Sequence, residues 1–227
     1  MTKYNVALFD MDGVLFDSMP GHVIAYREVF SRHGVQMPDD TVYMCEGMKG
    51  SETFRQVATR CLGREVSVEE AEAMYQEKCE IYRQLPQPGK IPGVEHLMRR
   101  MKDDGWTVCV VTGSAQMSLI DKLCAEFPGI IEPHLIVCAR DYAKGKPAPD
   151  PYLEGLRRTK GNPECTIVVE NAPLGVRAGR AAGLTTLAVN TGPLDREIFV
   201  EAGATEVFDT MAQAEQWLFG TEYSANN

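Results

Sequence analysis

Val6-Ala7-Leu8-Phe9-Asp10-Met11-Asp12-Gly13-Val14-Leu15 is an apolar run that stops on two carboxylates. The four apolar residues before Asp10 read as a buried strand. Side chains alternate along an extended backbone, so Asp10 and Asp12 leave the strand end on the same side. Two acids so close cannot both ionise freely. One is held as the carboxylate while the other is biased toward a proton, an arrangement suited to a nucleophile and an acid. Gly13 lets the chain turn sharply after them. An isolated Asp-x-Asp is equally a turn former after a strand, so the rest of the chain has to decide.

At 227 residues and 44% hydrophobic content, the chain has enough apolar material for one medium domain or a core with a smaller insert. A net charge of -9 without a basic run argues against a nucleic-acid or anionic-membrane partner, although a local cationic pocket for phosphate remains compatible. Seven cysteines (Cys45, Cys61, Cys79, Cys109, Cys124, Cys138, Cys165) are spread singly with no Cys-x-x-Cys pair, as expected of reduced thiols. No stretch approaches the ~20 apolar residues of a membrane span. The N-terminus runs into a strand without a signal-peptide pattern, so a cytoplasmic location is expected.

After the first strand the periodicity is helical for some seventy residues. Helices are predicted over 19–34, around Asp40 to Glu46, over 52–62 with Ser51 as cap, and over 67–84. In the last, Ser67 is the cap and Glu70 completes a capping box. Two glycines in Glu46-Gly47-Met48-Lys49-Gly50-Ser51 break the pattern. The proline- and glycine-rich Leu85-Pro86-Gln87-Pro88-Gly89-Lys90-Ile91-Pro92-Gly93 is the best candidate boundary. Beyond it, helix and strand alternate: helix 93–104, strand 106–111, helix 115–126, strand 134–138, helix 150–159 and strand 165–169. The series continues with helix 174–182, strand 185–189, a helix near 195–202, a strand near 206–208 and helix 211–218. Such alternation predicts an α/β fold, a Rossmann-like three-layer core with a parallel sheet. Residues 1–16 and 88–227 are assigned to that core, and 17–87 to an inserted helical-bundle cap over the strand ends. The tail after Gly220 is expected to fray.

Three later segments end strands with polar groups. Val108-Cys109-Val110-Val111 runs into Thr112-Gly113-Ser114, whose hydroxyls and backbone amides suit a phosphate oxygen or, equally, a helix cap. In Lys144-Gly145-Lys146-Pro147-Ala148-Pro149, the prolines hold the backbone extended and aim Lys146; its ammonium either balances a phosphoryl group or faces water. Thr166-Ile167-Val168-Val169 leads to Glu170-Asn171, oxygen groups suited to magnesium, while Asn171 is also placed to cap the next helix. Ligands of open α/β sheets bind at the carboxyl ends of the strands, where all these segments converge with Asp10 and Asp12.

The set Asp10-Met-Asp12-Gly-Val-Leu-Phe-Asp17, Thr112-Gly-Ser114, Lys146-Pro and Glu170-Asn171 resembles the four motifs of the haloacid dehalogenase-like superfamily. The insert is similar to its C1 type of cap, and the nearest subgroup is the β-phosphoglucomutase-like proteins. Glu46 and Glu170-Asn171-Ala-Pro-Leu-Gly most resemble a branch that hydrolyses inorganic pyrophosphate. The resemblance implies Asp10 as nucleophile and Asp12 as acid and base. It implies magnesium held by the Asp10 carboxylate, the Asp12 backbone carbonyl and Asn171, with Glu170 close by or acting through water. Thr112, Gly113, Ser114 and Lys146 would hold the phosphoryl oxygens.

Two departures bear on substrate. Many members carry an acid at Asn171, and the mutases place basic residues about where this chain has Glu46 and Gly50. Glu46 would repel a second sugar-linked phosphate, whereas on a closed cap it could restore the metal charge lost at Asn171. His22 and Lys49 are further candidates for the cap side of the cleft. The expectation is a magnesium-dependent phosphohydrolase acting on pyrophosphate or another small phosphate compound, as a monomer. β-Phosphoglucomutase activity is the alternative, and a non-catalytic phosphate-binding module is a third reading.

Overall fold

The computed structural model describes residues 2–48, 50–114 and 118–220, except for the side chains of Asp39, Ser118 and Leu119. Six strands form one parallel sheet: β1 (Val6–Phe9), β2 (Thr107–Val111), β3 (Ile136–Val137), β4 (Thr166–Glu170), β5 (Thr185–Val189) and β6 (Glu206–Phe208). Their order is β3-β2-β1-β4-β5-β6, which places the opening stretch at the point where the winding reverses. Phe9 registers with Val110 of β2 and with Val169 of β4, so Asp10, Thr112 and Glu170 arrive at one edge.

Alternation along β1 sends Ala7 and Phe9 to one face and Val6 and Leu8 to the other. The first face packs on α5 (Val94–Asp103), α6 (Ser118–Glu126) and α10 (Met211–Phe219) through Leu97, Met98, Leu123 and Leu218. The second packs on α7 (Asp150–Thr159) and α8 (Pro173–Ala181) through Tyr152 and Ala178. α9 (Arg196–Glu201) closes the β6 end through Phe199. Both faces of the sheet are therefore buried, and the strands read as continuous apolar runs because no side of them meets water.

The strand expected over 134–138 is shorter. Pro133–Leu135 form a 3-10 turn, and only Ile136 and Val137 pair with β2. Proline has no N–H to give a ladder, so the edge strand starts after it.

Four helices lie between β1 and β2: α1 (Met19–Arg32), α2 (Asp39–Met44), α3 (Gly50–Leu62) and α4 (Val68–Gln84). They enclose their own cluster around Val23, Tyr26, Phe30, Phe54, Val57 and Met74. Centroids of Tyr26 and Phe30 stand 4.8 Å and 5.0 Å from that of Phe54. Ser67 caps α4 as expected, its Oγ accepting the Glu70 N–H at 3.1 Å. The other half of the capping box does not close, because the Glu70 carboxylate takes two hydrogen bonds from Arg64 instead. Ser51 is not a cap. α3 already begins at Gly50, whose bare Cα lies against the Tyr75 ring; a Cβ there would stand 2.0 Å from a ring carbon.

The chain enters and leaves this helical unit through a short ribbon. Asp17 N–H donates to Gly89 O at 2.9 Å, and Ile91 N–H donates to Leu15 O at 3.0 Å. Among the described residues, no helix is long and apolar enough to cross a membrane.

Candidate active site

Lys146 is the buried hub of the site. Its side chain is 1% exposed, and its Nζ donates to Asp10 Oδ1 and, at 2.6 Å, to Glu170 Oε1. Glu170 is fully committed. Its Oε1 also accepts the Tyr152 hydroxyl at 2.5 Å, and its Oε2 accepts the N–H groups of Asn171 and Ala172 at 3.0 Å and 3.2 Å. Gly175 makes room for this carboxylate, since a Cβ there would reach within 1.8 Å of Oε1. Expected close to a metal or acting on it through water, Glu170 has both oxygens hydrogen-bonded to protein donors and is the counter-ion of Lys146.

Burial pushes the Asp10 carboxyl up to about 8; Lys146 pulls it back, but Glu170 and Asp12 add to the rise. Burial opposes charge on Lys146 as well, yet Asp10 and Glu170 together hold it well above the ordinary lysine value.

Asp12 sits in a different environment, built from the helical unit. Its Oδ1 accepts the Ser18 hydroxyl at 2.6 Å and lies 3.3 Å from His22 Nε2. His22 Nδ1 is 2.7 Å from Lys78 Nζ. An ammonium only donates, so Nδ1 must accept, and the ring proton sits on Nε2, facing Asp12. The His22 ring stacks on Tyr82 at 4.3 Å, and Lys78 lies 5.0 Å from the ring centroids of both Tyr26 and Tyr82. Burial works to raise Asp12, but the hydrogen bonds from His22 and Ser18 and the charge of Lys78 hold it below the usual carboxylate value. The two acids are therefore split as expected: burial raises the deep Asp10, and the donors around Asp12 lower its proton affinity.

Lys78, Ser18 and Tyr152 were not singled out from the sequence. Lys78 had a signal, since it lies on the buried stripe of α4 with Ala71 and Met74. Ser18 stands at the N-cap of α1, yet its hydroxyl serves Asp12 and makes no cap bond.

Thr112 is buried, and its Oγ1 accepts the Ser114 N–H at 3.1 Å, while its carbonyl accepts the Tyr142 hydroxyl. The start of the helix expected from 115 lies outside the described residues. Asn171 does not cap α8, whose N-cap is Ala172. Its side-chain Oδ1 and Nδ2 are buried without a hydrogen-bond partner, as is Asp10 Oδ2. Asn171 is pressed against the loop after Asp10: a Cβ on Gly13, whose φ is +79°, would stand 1.9 Å from Nδ2. Among the described residues there is no cluster of three or more His, Cys, Asp or Glu that could cage a metal. Two orphaned oxygens from one carboxylate and one amide nonetheless fit magnesium, which takes few protein oxygens and fills its other positions with water and substrate.

The turn after α2 closes the site from above. Gly47, at φ +88°, lies on the Lys146 side chain so closely that a Cβ would stand 2.7 Å from Cδ. A Cβ on Gly113 would come 3.6 Å from the Gly47 carbonyl. Half-buried Glu46 is raised well above the ordinary glutamate value by burial and by Asp12 and Asp10, against the pull of Lys146 and Lys78. A cavity of about 310 Å³ remains, lined by Asp12, His22, Glu46, Lys78, Ser114 and Lys122 among others. His22 and Glu46 are thus brought to the cleft, and Lys49 lies outside the described residues.

A parallel sheet wound in this order, with two acids, a lysine and an amide at its carboxyl edge under a helical insert, defines a phosphoryl-transfer fold. The chain belongs to the haloacid dehalogenase-like hydrolase family, which it matches over residues 7–189. Hexitol phosphatase A of Escherichia coli (strain K12) is 31% identical over 183 residues, covering 81% of this chain and 82% of its own. The fructose-1-phosphate phosphatase of the same organism is 30% identical over 192 residues, covering 82% and 97%. A solved structure from Bacteroides vulgatus, provisionally assigned as a β-phosphoglucomutase, is 41% identical with a TM-score of 0.88, covering 94% of this chain and 87% of that one.

The Gly47 contact leads to a prediction. Gly47→Ala should lose about 1–2 kcal/mol from the left-handed backbone alone, and turnover should fall at least about tenfold because the turn no longer seats on Lys146. Thermal unfolding and steady-state kinetics measure the two effects; retained turnover would show that the contact is dispensable.

Proposed function

We propose that the protein is a magnesium-dependent phosphohydrolase working through an aspartyl phosphate at Asp10, with inorganic pyrophosphate as favoured substrate. The observation that carries this reading is Asp10 Oδ2, a buried carboxylate oxygen with no partner beside a buried ammonium. The family and the Escherichia coli relatives support phosphatase or phosphomutase chemistry in general; the choice of pyrophosphate rests on Glu46.

In the first half-reaction, Asp10 Oδ2 bonds to phosphorus as the bond to the leaving oxygen breaks, and Asp12 gives that oxygen a proton. In the second, Asp12 takes a proton from water, the water oxygen bonds to phosphorus, and the acyl phosphate bond returns its electrons to Asp10. Lys146, the hydroxyls of Thr112 and Ser114, and the Gly113 amide hold the phosphoryl oxygens, since position and electrostatics supply most of phosphoryl-transfer catalysis. Asp10, Asn171 and the Asp12 carbonyl would hold the magnesium ion, which when bound neutralises phosphoryl charge and keeps Asp10 ionised. Glu170 acts through Lys146.

Residues 17–87 are proposed to work as a cap, opening for substrate and excluding water when closed. Glu46 in its roof offers no cation to a second phosphate on a sugar, which favours a small substrate such as pyrophosphate. A second reading, β-phosphoglucomutase, is kept by the Bacteroides vulgatus neighbour; there the phosphoryl group returns to a sugar.

Four measurements test this reading. Magnesium-dependent phosphate release from pyrophosphate should exceed that from hexitol phosphates and fructose 1-phosphate, and Asp10→Asn should lower it at least about 10³-fold. Conversion of β-glucose 1-phosphate to glucose 6-phosphate would decide for the mutase. Glu46→Gln should raise the magnesium concentration needed for half-maximal turnover, and an unchanged requirement would remove Glu46 from the metal's surroundings. Lys78→Met takes away a charge and the acceptor-fixing donor that hold Asp12 low, while burial still acts to raise it. Its proton affinity then rises, and the acid limb of the pH–rate profile should move to higher pH; a limb that stays in place contradicts the assignment of Asp12 as base.

A further inference from the structure

One lysine of the core touches both strands of chain that join the core to the helical unit. Lys122 on α6 donates from Nζ to Gln87 Oε1 at 2.7 Å, and the same ammonium lies 5.2 Å from the centroid of the Phe16 ring. Phe16 belongs to the outgoing crossing and Gln87 to the returning one. The Phe16 ring stands edge-on to Phe127 at 5.7 Å, and the Phe127 ring carries the Lys90 ammonium at 4.6 Å. Lys122 also lines the cavity beside Arg83 and Ser114.

Phe16 and Phe127 belong to the main apolar core, whereas Lys122 reaches the two crossings from a half-buried position beside the cavity. Any swing of the helices that shifts the crossings against α6 breaks a charge-assisted hydrogen bond and a cation–π contact together. Each is worth a few-fold in the equilibrium between seated and swung positions. α6 follows the Thr112–Ser114 loop in the chain, so the helix that meets the crossings also borders the proposed phosphate site.

We propose that Lys122 is a positioning residue that latches the helical unit closed over the catalytic end by binding both crossings from the core side. The proposal rests on the reading above, in which hydrolysis takes place in a closed cleft. Lys122 does not touch the reacting group; it acts through Gln87 and Phe16.

The chain contains its own probes. Cys79 is buried and lines the cavity, Cys61 is exposed, and Cys109 is buried inside the sheet. In the full-length protein without substrate, iodoacetamide labelling read by peptide mass should be about fivefold faster at Cys79 in Lys122→Met, with Cys61 and Cys109 unchanged. Gln87→Ala should shift Cys79 the same way and add little to Lys122→Met, while Lys122→Arg should restore the slow rate. With pyrophosphate, Lys122→Met should raise KM about fivefold and leave kcat within about twofold. An unchanged Cys79 rate overturns the proposal, and so does acceleration at Cys109, which would mean a loosened core. Labelling needs no substrate, so failure of the unaltered protein to hydrolyse pyrophosphate would overturn the functional reading and leave the labelling result to stand by itself.

Discussion

A lysine ammonium held out of water between two carboxylates is the interaction on which the site depends. Taking such charges into the interior costs several kcal/mol for each ion unless partners surround it. The fold supplies those partners from separate elements: Asp10 from β1, Glu170 from β4, the Tyr152 hydroxyl from α7, and two N–H groups at the entry to α8. Removing any one strands the others without water to replace it. Asp10 is thereby left with one oxygen bound and one free. The free oxygen has a direction because the bound one is fixed.

Asp12 belongs to the core by sequence and to the helical unit by electrostatics. Ser18, His22 and Lys78 lower its proton affinity, while Glu170 and Lys146 govern Asp10. The pair is split by burial at one acid and by donors at the other. Without that separation, two carboxyl groups two residues apart would compete for one proton.

Much of this was legible in the chain. The buried runs at 6–9, 107–111, 166–170 and 185–189, with helical periods between them, point to a parallel sheet, and their polar ends mark the site. The strand order was not legible, because periodicity does not say which neighbour a strand takes. Nor was the direction of the acid split, which depends on α1 and α4 meeting over Asp12. Tyr152 carried no signal, because a hydroxyl at the end of a buried ring leaves no trace in the pattern. Asn171 had two sequence readings, and its orphaned amide together with the Ala172 cap removes one of them.

Three glycines, Gly13, Gly47 and Gly175, each stop short of a functional side chain: Asn171, Lys146 and Glu170 in turn. None has a group that reacts, yet together they are the inner surface of a mould in which the reacting groups are cast. The cost of altering a residue in this protein is therefore poorly ranked by its chemistry. A methyl group added at Gly13 or Gly47 displaces an amide or an ammonium far from it in sequence, one added at Gly175 displaces the carboxylate at the end of the preceding strand, and each change would look conservative in every respect except position.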